Sequence, residues 1–360
     1  VLQKERVGSA DWTQRVLARH WAGTELVAAP TPLSGSGDGE VVTHTAGLWL
    51  VPAHTGEHVL KVQLNPDALR PPAFYGHKQE LLRQAAEAGL PVGRPVPTTA
   101  GADTAWVDGT TCELLPRYPA PVGPAPSAAQ VDALVDTCLD LRAFLDSRPE
   151  RLTRELAPLP VPRLVDEPDW RLALADARTR LLPEARRRDD DWGRFATGLL
   201  EDLDQAAGLL LAHDLPAWGQ APHRPAITHA DLHHHHFMVA APGSPDVVAV
   251  LDFDNLQVTD RLLDLAWTAE LAMLGESRPS RSVGSLTRFV GMAHNRGLLR
   301  LDEVALLGPV LLTHSVPVLV DIAKDILERD LLYPVWRNYV QLLDPARRLR
   351  MHTALSHLVV

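Results

Sequence analysis

Residues 227–254 read Ile-Thr-His229-Ala-Asp231-Leu-His233-His-His-His236-Phe-Met-Val, then Ala-Ala-Pro242-Gly243-Ser-Pro245-Asp246, then Val-Val-Ala-Val-Leu-Asp252-Phe253-Asp254. The apolar runs at 237–239 and 247–251 are short, rich in β-branched residues and bounded by Pro and Gly, which predicts two strands joined as a hairpin. The open ends of a hairpin lie side by side. Asp231, just before the first strand, and Asp252, just after the second, therefore meet at one mouth. Two carboxylates so placed suit a reaction in which a hydroxyl is held for attack while a hard cation neutralises a polyphosphate. One carboxylate orients the hydroxyl and accepts its proton; the other binds Mg2+, which takes oxygen ligands and is completed by substrate phosphates.

The run His229-Ala-Asp231-Leu-His233, the hairpin, and Leu251-Asp252-Phe253-Asp254 resemble the catalytic loop (His-Gly-Asp-x-His-x-x-Asn) and metal motif (Ile-Asp-Phe/Trp-Asp/Glu) of the aminoglycoside phosphotransferase and choline kinase family, which shares the protein-kinase-like fold. The resemblance implies an α+β, two-lobe architecture. An N-terminal nucleotide-binding lobe (1–118) would hold a five-stranded antiparallel sheet with one helix, and a larger, mainly helical lobe (119–360) would hold the catalytic loop and the acceptor region. It also implies transfer of the γ-phosphoryl group of ATP or GTP to a hydroxyl of a small molecule, an aminoglycoside or another natural product, with Mg2+. Asp231 would be the catalytic carboxylate, His229 its support and Asp252 a metal ligand. The family's Asn position falls on His236, and imidazole nitrogen suits Zn, Mn or Fe better than Mg. Either His236 takes no metal and one Mg2+ suffices, or metal preference is altered, or catalysis is weakened. Two alternatives follow: a kinase acting on peptide Ser or Thr in natural-product biosynthesis, and a pseudokinase that binds nucleotide or a partner.

Upstream motifs occur in the order such a fold requires. Gly35, Gly37 and Gly39 alternate between extended segments, and read either as a loop whose N–H groups approach phosphates or as a plain hairpin turn. Lys61 sits amid the strand pattern His58-Val-Leu-Lys61-Val-Gln63; it reads as a phosphate-holding lysine or as an edge-strand lysine that blocks aggregation. Glu80, on a helical pattern ending before Gly89, is either the carboxylate that pairs with Lys61 or a solvated charge. Strands at 104–107 and 111–115 flank the turn Asp108-Gly109. The resemblance makes the second of them end at the hinge, with backbone groups from Glu113 through Leu115 to residue 118 available to the nucleotide base.

Hydrophobic content of 46% and charged content of 22% are those of a globular protein. The formal net charge of −10 argues against a nucleic-acid-binding surface. Only Cys112 and Cys138 occur, without disulfide or zinc spacing. No charged-then-apolar leader and no long uninterrupted apolar stretch is evident, so a cytoplasmic protein with no membrane partner is expected. The apolar stretch 304–320, which contains Pro309 and Pro317, reads as a buried, kinked helix. Composition does not set the oligomeric state.

The proline-dense residues 116–126 read as a stiff linker, and Ser127 with Gln130 as a capping box opening a helix. An irregular excursion is expected at 147–168, with helices at 169–182 and 195–213. The four histidines at 233–236 are a poor metal site by sequence, because adjacent residues rarely converge on one ion. Asp260 is placed to cap a helix. The resemblance makes Asp264 a brace for the catalytic loop, and makes Glu270 and Glu276 candidate acceptor contacts, with solvated charge the alternative for both.

Overall fold

The computed structural model describes residues 9–33, 46–123, 125–161, 165–212, 215, 225–274 and 279–358. Ser9 caps α1 (Ala10–His20), its hydroxyl accepting from Trp12 N–H. Then come β1 (Thr31–Pro32), β2 (Ala46–Ala53), β3 (Gly56–Gln63), α2 (Pro72–Glu87), β4 (Ala105–Val107) and β5 (Thr110–Pro116). The strands form an antiparallel sheet in the order β1-β2-β3-β5-β4. Asp108 and Gly109 both take positive φ, the geometry of the tight turn that their pairing predicts.

Alternation along the strands separates two faces. Trp49, Val51, Leu60, Val62, Cys112 and Leu114 are buried together against Trp12, Val16 and Leu17 of α1. Lys61 and Glu113, register partners on β3 and β5, point to the opposite face, where α2 packs. The sheet thus carries the expected helix on one face and α1 on the other. The apolar side of α2, with Phe74, Leu81, Leu82 and Ala85, joins the large core of the C-terminal helices. That cluster has members on both sides of residue 118.

Within the expected linker, β6 (Ala120–Pro121) pairs with the strand Phe237–Val239. Next comes α3 (Ala128–Asp146), whose capping box is complete: Gln130 N–H donates to Ser127, and Ser127 N–H donates to the Gln130 side chain. The stretch expected to be irregular holds α4 (Glu150–Leu156). Pro149 precedes it, Glu150 opens it and Arg154 closes it, a charge order that favours a helix through its dipole. Further on are α5 (Trp170–Asp176), α6 (Leu182–Ala185), α7 (Asp191–Leu211), β7 (Pro225–Thr228), β8 (Phe237–Val239), β9 (Val247–Val250) and β10 (Gln257–Asp260). The chain closes with α8 (Leu262–Leu274), α9 (Pro279–Asn295), α10 (Leu307–Leu327), α11 (Val335–Leu342) and α12 (Pro345–Ser356). The segment Leu301–Leu327, mean hydropathy 1.7, is long and apolar enough to cross a bilayer, but 72% of that window is buried among the other helices. It serves as the central helix of this lobe.

The lobes are joined beyond the hinge. Val250 N–H donates to Pro91 O (2.6 Å) and Gly93 N–H donates to Val250 O (2.8 Å), so the segment after α2 runs along the free edge of β9. A Cβ on Gly93 would stand 2.3 Å from the Leu251 side chain. The nearest backbone atom, Val250 O, would stand at an ordinary 3.4 Å, so a side chain there would mainly displace the end of Leu251.

Candidate active site

The loop at 229–233 is held from behind. Asp264, buried on α8, accepts from His229 N–H and Ala230 N–H, both at 3.0 Å, and from buried Arg142 at 3.1 Å. Ala230 stands at φ +67, a conformation that costs an alanine about 1 kcal/mol. It is over-determined there, since Trp267 Nε1 also donates to its carbonyl at 3.2 Å. The bracing that resemblance assigned to Asp264 is thus present as geometry.

The hairpin pairs Phe237 with Val250 and Met238 with Ala249, as its alternation predicts. Asp252, just beyond β9, takes φ +62 and ψ +59. Aspartate tolerates this left-handed conformation better than most residues. His229 is fully buried, donates from Nε2 to Leu251 O at 3.0 Å and packs on Phe253 with ring centroids 4.5 Å apart. Burial lowers its pKa to about 4, so it supports the loop as a neutral ring. Asp231 accepts a hydrogen bond from Asn255 Nδ2 at 3.0 Å. Burial, with Asp252 adding to it, raises the Asp231 pKa against the pull of His236. A raised carboxylate is the better proton acceptor near neutrality. Asn255 was not singled out by sequence; its one signal is its place directly after the Asp-Phe-Asp motif.

His236 lies between the two carboxylates. Its Nδ1–H donates to Asp231 O at 2.7 Å, and its Nε2 stands 3.5 Å from Asp252 Oδ2.

From the sheet, Lys61 reaches across to Asp252 (2.7 Å) and Asp254 (2.9 Å). β3 lies inside the sheet, so the edge-strand reading of Lys61 does not hold. Lys78 on α2 is more deeply buried than Lys61 and bridges Glu113 (2.5 Å) and Asp254 (2.7 Å). Glu113 also accepts from Thr104 Oγ1 at 2.8 Å. Burial favours neutral lysines, but the surrounding carboxylates overcome it and hold both Lys61 and Lys78 above the ordinary value. Burial likewise favours a protonated Asp252, and Lys61 outweighs it to keep the group well below the usual carboxylate range.

The pairing of Lys61 with Glu80 is not found. Glu80 lies two residues beyond Lys78, about 200° around the helix, and its side chain is half exposed and bonded to Arg83 and Gln84. The helix thus offers a cation to the site and the sheet supplies the carboxylate. Glu80→Gln is expected to change nucleotide affinity by calorimetry no more than roughly twofold, as for surface substitutions generally; a tenfold loss would restore Glu80 to the site.

Gly35, Gly37 and Gly39 lie outside the described residues. Glu113 lends its side chain to the lysine network. Leu115 pairs with Val59 of β3. β4 pairs only with Thr110, Thr111 and Cys112, so beyond them the second edge of β5 is open among the described residues, except where Val96 N–H donates to Leu114 O (2.6 Å). Cys112 and Cys138 are free and buried.

A family model described as "Phosphotransferase enzyme family" matches residues 48–296, which spans the sheet, the loop and the hairpin. The chain belongs to the phosphotransferase enzyme family. A search of curated protein sequences found no match. Among solved structures the fold is similar to a spectinomycin phosphotransferase crystallised with ADP and spectinomycin, with TM-score 0.64, 13% identity, and 96% of this chain and 98% of that one covered. It is also similar to an aminopropanol kinase (TM-score 0.59, 16% identity, 96% and 98% covered) and to an amicoumacin kinase (TM-score 0.57, 11% identity, 97% and 95% covered). The protein is a phosphotransferase with a protein-kinase-like fold.

Beside the loop of this phosphotransferase is a small depression lined by His233, His234, Trp267, Glu270, Leu274 and Arg347 among others. Glu270 is not a solvated charge. It is buried and accepts from Arg347 (2.5 Å) and Arg348 (3.0 Å), so its charge is taken up by two guanidinium groups. Glu276 lies outside the described residues.

Proposed function

We propose that this phosphotransferase moves the γ-phosphoryl group of ATP or GTP to a hydroxyl of a small molecule. The observation that carries this reading is the contact of Lys61 with Asp252, which draws a lysine of the sheet and a carboxylate of the hairpin together beside Asp231. In this reading Asp231, oriented by Asn255 and raised by burial, holds the acceptor hydroxyl and takes its proton. Lys61 contacts the phosphates, held in place by Asp254, and Lys78 secures Asp254 from behind. Gly35, Gly37 and Gly39 would approach the phosphates, and backbone groups from Glu113 to Leu115 would meet the base. His229 fixes the loop.

Asp252 offers the hard oxygen donor that suits Mg2+, whereas the His236 nitrogen suits it poorly. A single Mg2+ on Asp252, completed by phosphate oxygens and water, would neutralise the charge that develops on the transferred group. A small acceptor is in keeping with the spectinomycin, amicoumacin and aminopropanol kinases of similar fold.

Titrating ATP and GTP by calorimetry, with and without Mg2+, tests the nucleotide half. Metal-dependent binding is expected, reduced at least tenfold in Asp252→Ala. Equal affinity in wild type and variant would remove Asp252 from the metal site, and absence of binding under every condition would sink the reading.

A further inference from the structure

Four neighbouring histidines rarely converge, but this run is folded so that two of them do. Residues 234–236 form a single 3-10 turn that starts from His233, and in such a turn positions three apart are eclipsed. The rings of His233 and His236 lie 3.7 Å apart and tilted by 35°. One ligand atom each of Asp231, His233 and His236 lies within 4.8 Å of the others. His233 Nε2 is 3.8 Å from Asp231 Oδ2. That is beyond hydrogen-bonding reach, and His233 Nδ1 is buried with no hydrogen-bond partner. The Nε2 that faces Asp231 is the nitrogen placed to ligate an ion. His236 is prepared in the way metal-binding histidines are: its Nδ1–H bond to a backbone carbonyl fixes the tautomer and leaves the Nε2 lone pair free.

We propose that Asp231, His233 and His236 form a site for a divalent transition metal ion such as Zn2+, adjoining the carboxylate proposed for Mg2+, since His236 Nε2 stands 3.5 Å from Asp252 Oδ2. Two imidazole nitrogens and one carboxylate match the donor preference of Zn2+ and Co2+ and not that of Mg2+. Metal–ligand bonds of about 2 Å set ligand atoms about 3.3 Å apart around a tetrahedral ion, so the Asp231–His233 pair needs to close by about half an ångström. The consequence rests on the phosphotransferase reading: an ion on Asp231 occupies the lone pair that would accept the hydroxyl proton, so Zn2+ switches transfer off.

The test uses the full chain, freed of metal by a chelator and without nucleotide or acceptor. Zn2+ is titrated by calorimetry, and Co2+ is followed by its visible absorption. One ion per chain is expected. His233→Gln, His236→Gln and the near-isosteric Asp231→Asn should each weaken binding at least tenfold with an unchanged circular dichroism spectrum, whereas exposed His235→Gln should bind as wild type. Unchanged affinity in the three variants, equal weakening in His235→Gln, or no binding by the wild type would overturn the site. A second arm adds Zn2+ to a transfer assay run with Mg2+. Undiminished transfer at saturating Zn2+ would overturn the switch, and Zn2+ binding without any transfer under Mg2+ alone would leave the site standing while the phosphotransferase reading fails.

Discussion

Asp231→Ala is expected to lower phosphoryl transfer by about 10^2–10^4-fold, the range that a positioned general base contributes, while nucleotide affinity stays near that of wild type. The separation follows from what each side chain holds. Asp231 accepts from Asn255 and faces His233 and His236, all in the loop and its hairpin, while Lys61 and β5 belong to the five-stranded sheet. The fold should survive, because the loop is clamped by Asp264 and Trp267 through backbone atoms of His229 and Ala230, none of which depends on the Asp231 side chain. A single-turnover assay separates the chemical step from binding, and a thermal melt checks the fold. A variant that transfers at the wild-type rate would remove Asp231 from the chemistry.

The second large effect belongs to Lys78. Its ammonium is buried between Glu113 and Asp254, so Lys78→Met leaves Glu113 with only Thr104 and frees Asp254 to lean on Lys61 alone. Removing one partner of a buried ion pair costs about 3–5 kcal/mol, because the remaining charge has lost both its counter-ion and its water. The urea midpoint should fall accordingly. Nucleotide binding should weaken as well, since Lys61 is then drawn more firmly to the carboxylates and is less available to phosphate. Lys78→Met combined with Glu113→Gln should recover much of the stability, because the orphaned charge is gone. A Lys78→Met protein as stable as wild type would show that the network is relieved by water and that the helix does not anchor the site.

How much of this was legible in the chain varied with the distance over which each feature is decided. The strands on either side of Asp108-Gly109, the Ser127–Gln130 capping box and the hairpin from Phe237 to Val250 rest on contacts between near neighbours in sequence, so alternation and turn chemistry were sufficient to read them. The helix at Glu150–Leu156 was missed because one proline-rich context was read as irregular throughout, although Pro149 is a good residue to precede a helix. The strand Ala120–Pro121 was missed because its partner, β8, lies more than a hundred residues away, and a two-residue strand has no period to detect.

The candidate site shows the same division. Asp231, Asp252 and Lys61 were singled out because they stand in short motifs whose order along the chain resembles the family's. Glu80 was named as the partner of Lys61 because a carboxylate was sought on that helix, and only the rotational setting of α2 decides that Lys78 faces the sheet while Glu80 faces solvent. Nothing local distinguishes the two, since the preference arises from burial of Phe74, Leu81 and Ala85 against helices far along the chain. The convergence of His233 with His236 likewise depends on a single 3-10 turn that the hairpin and the Asp264 clamp impose. The sequence by itself determined the elements, their order and the residue types available for chemistry, because these follow from local propensity and period. Tertiary structure decided which residues outside those motifs join them, Lys78 rather than Glu80 and His233 with His236, because that depends on which face of each element the distant core buries.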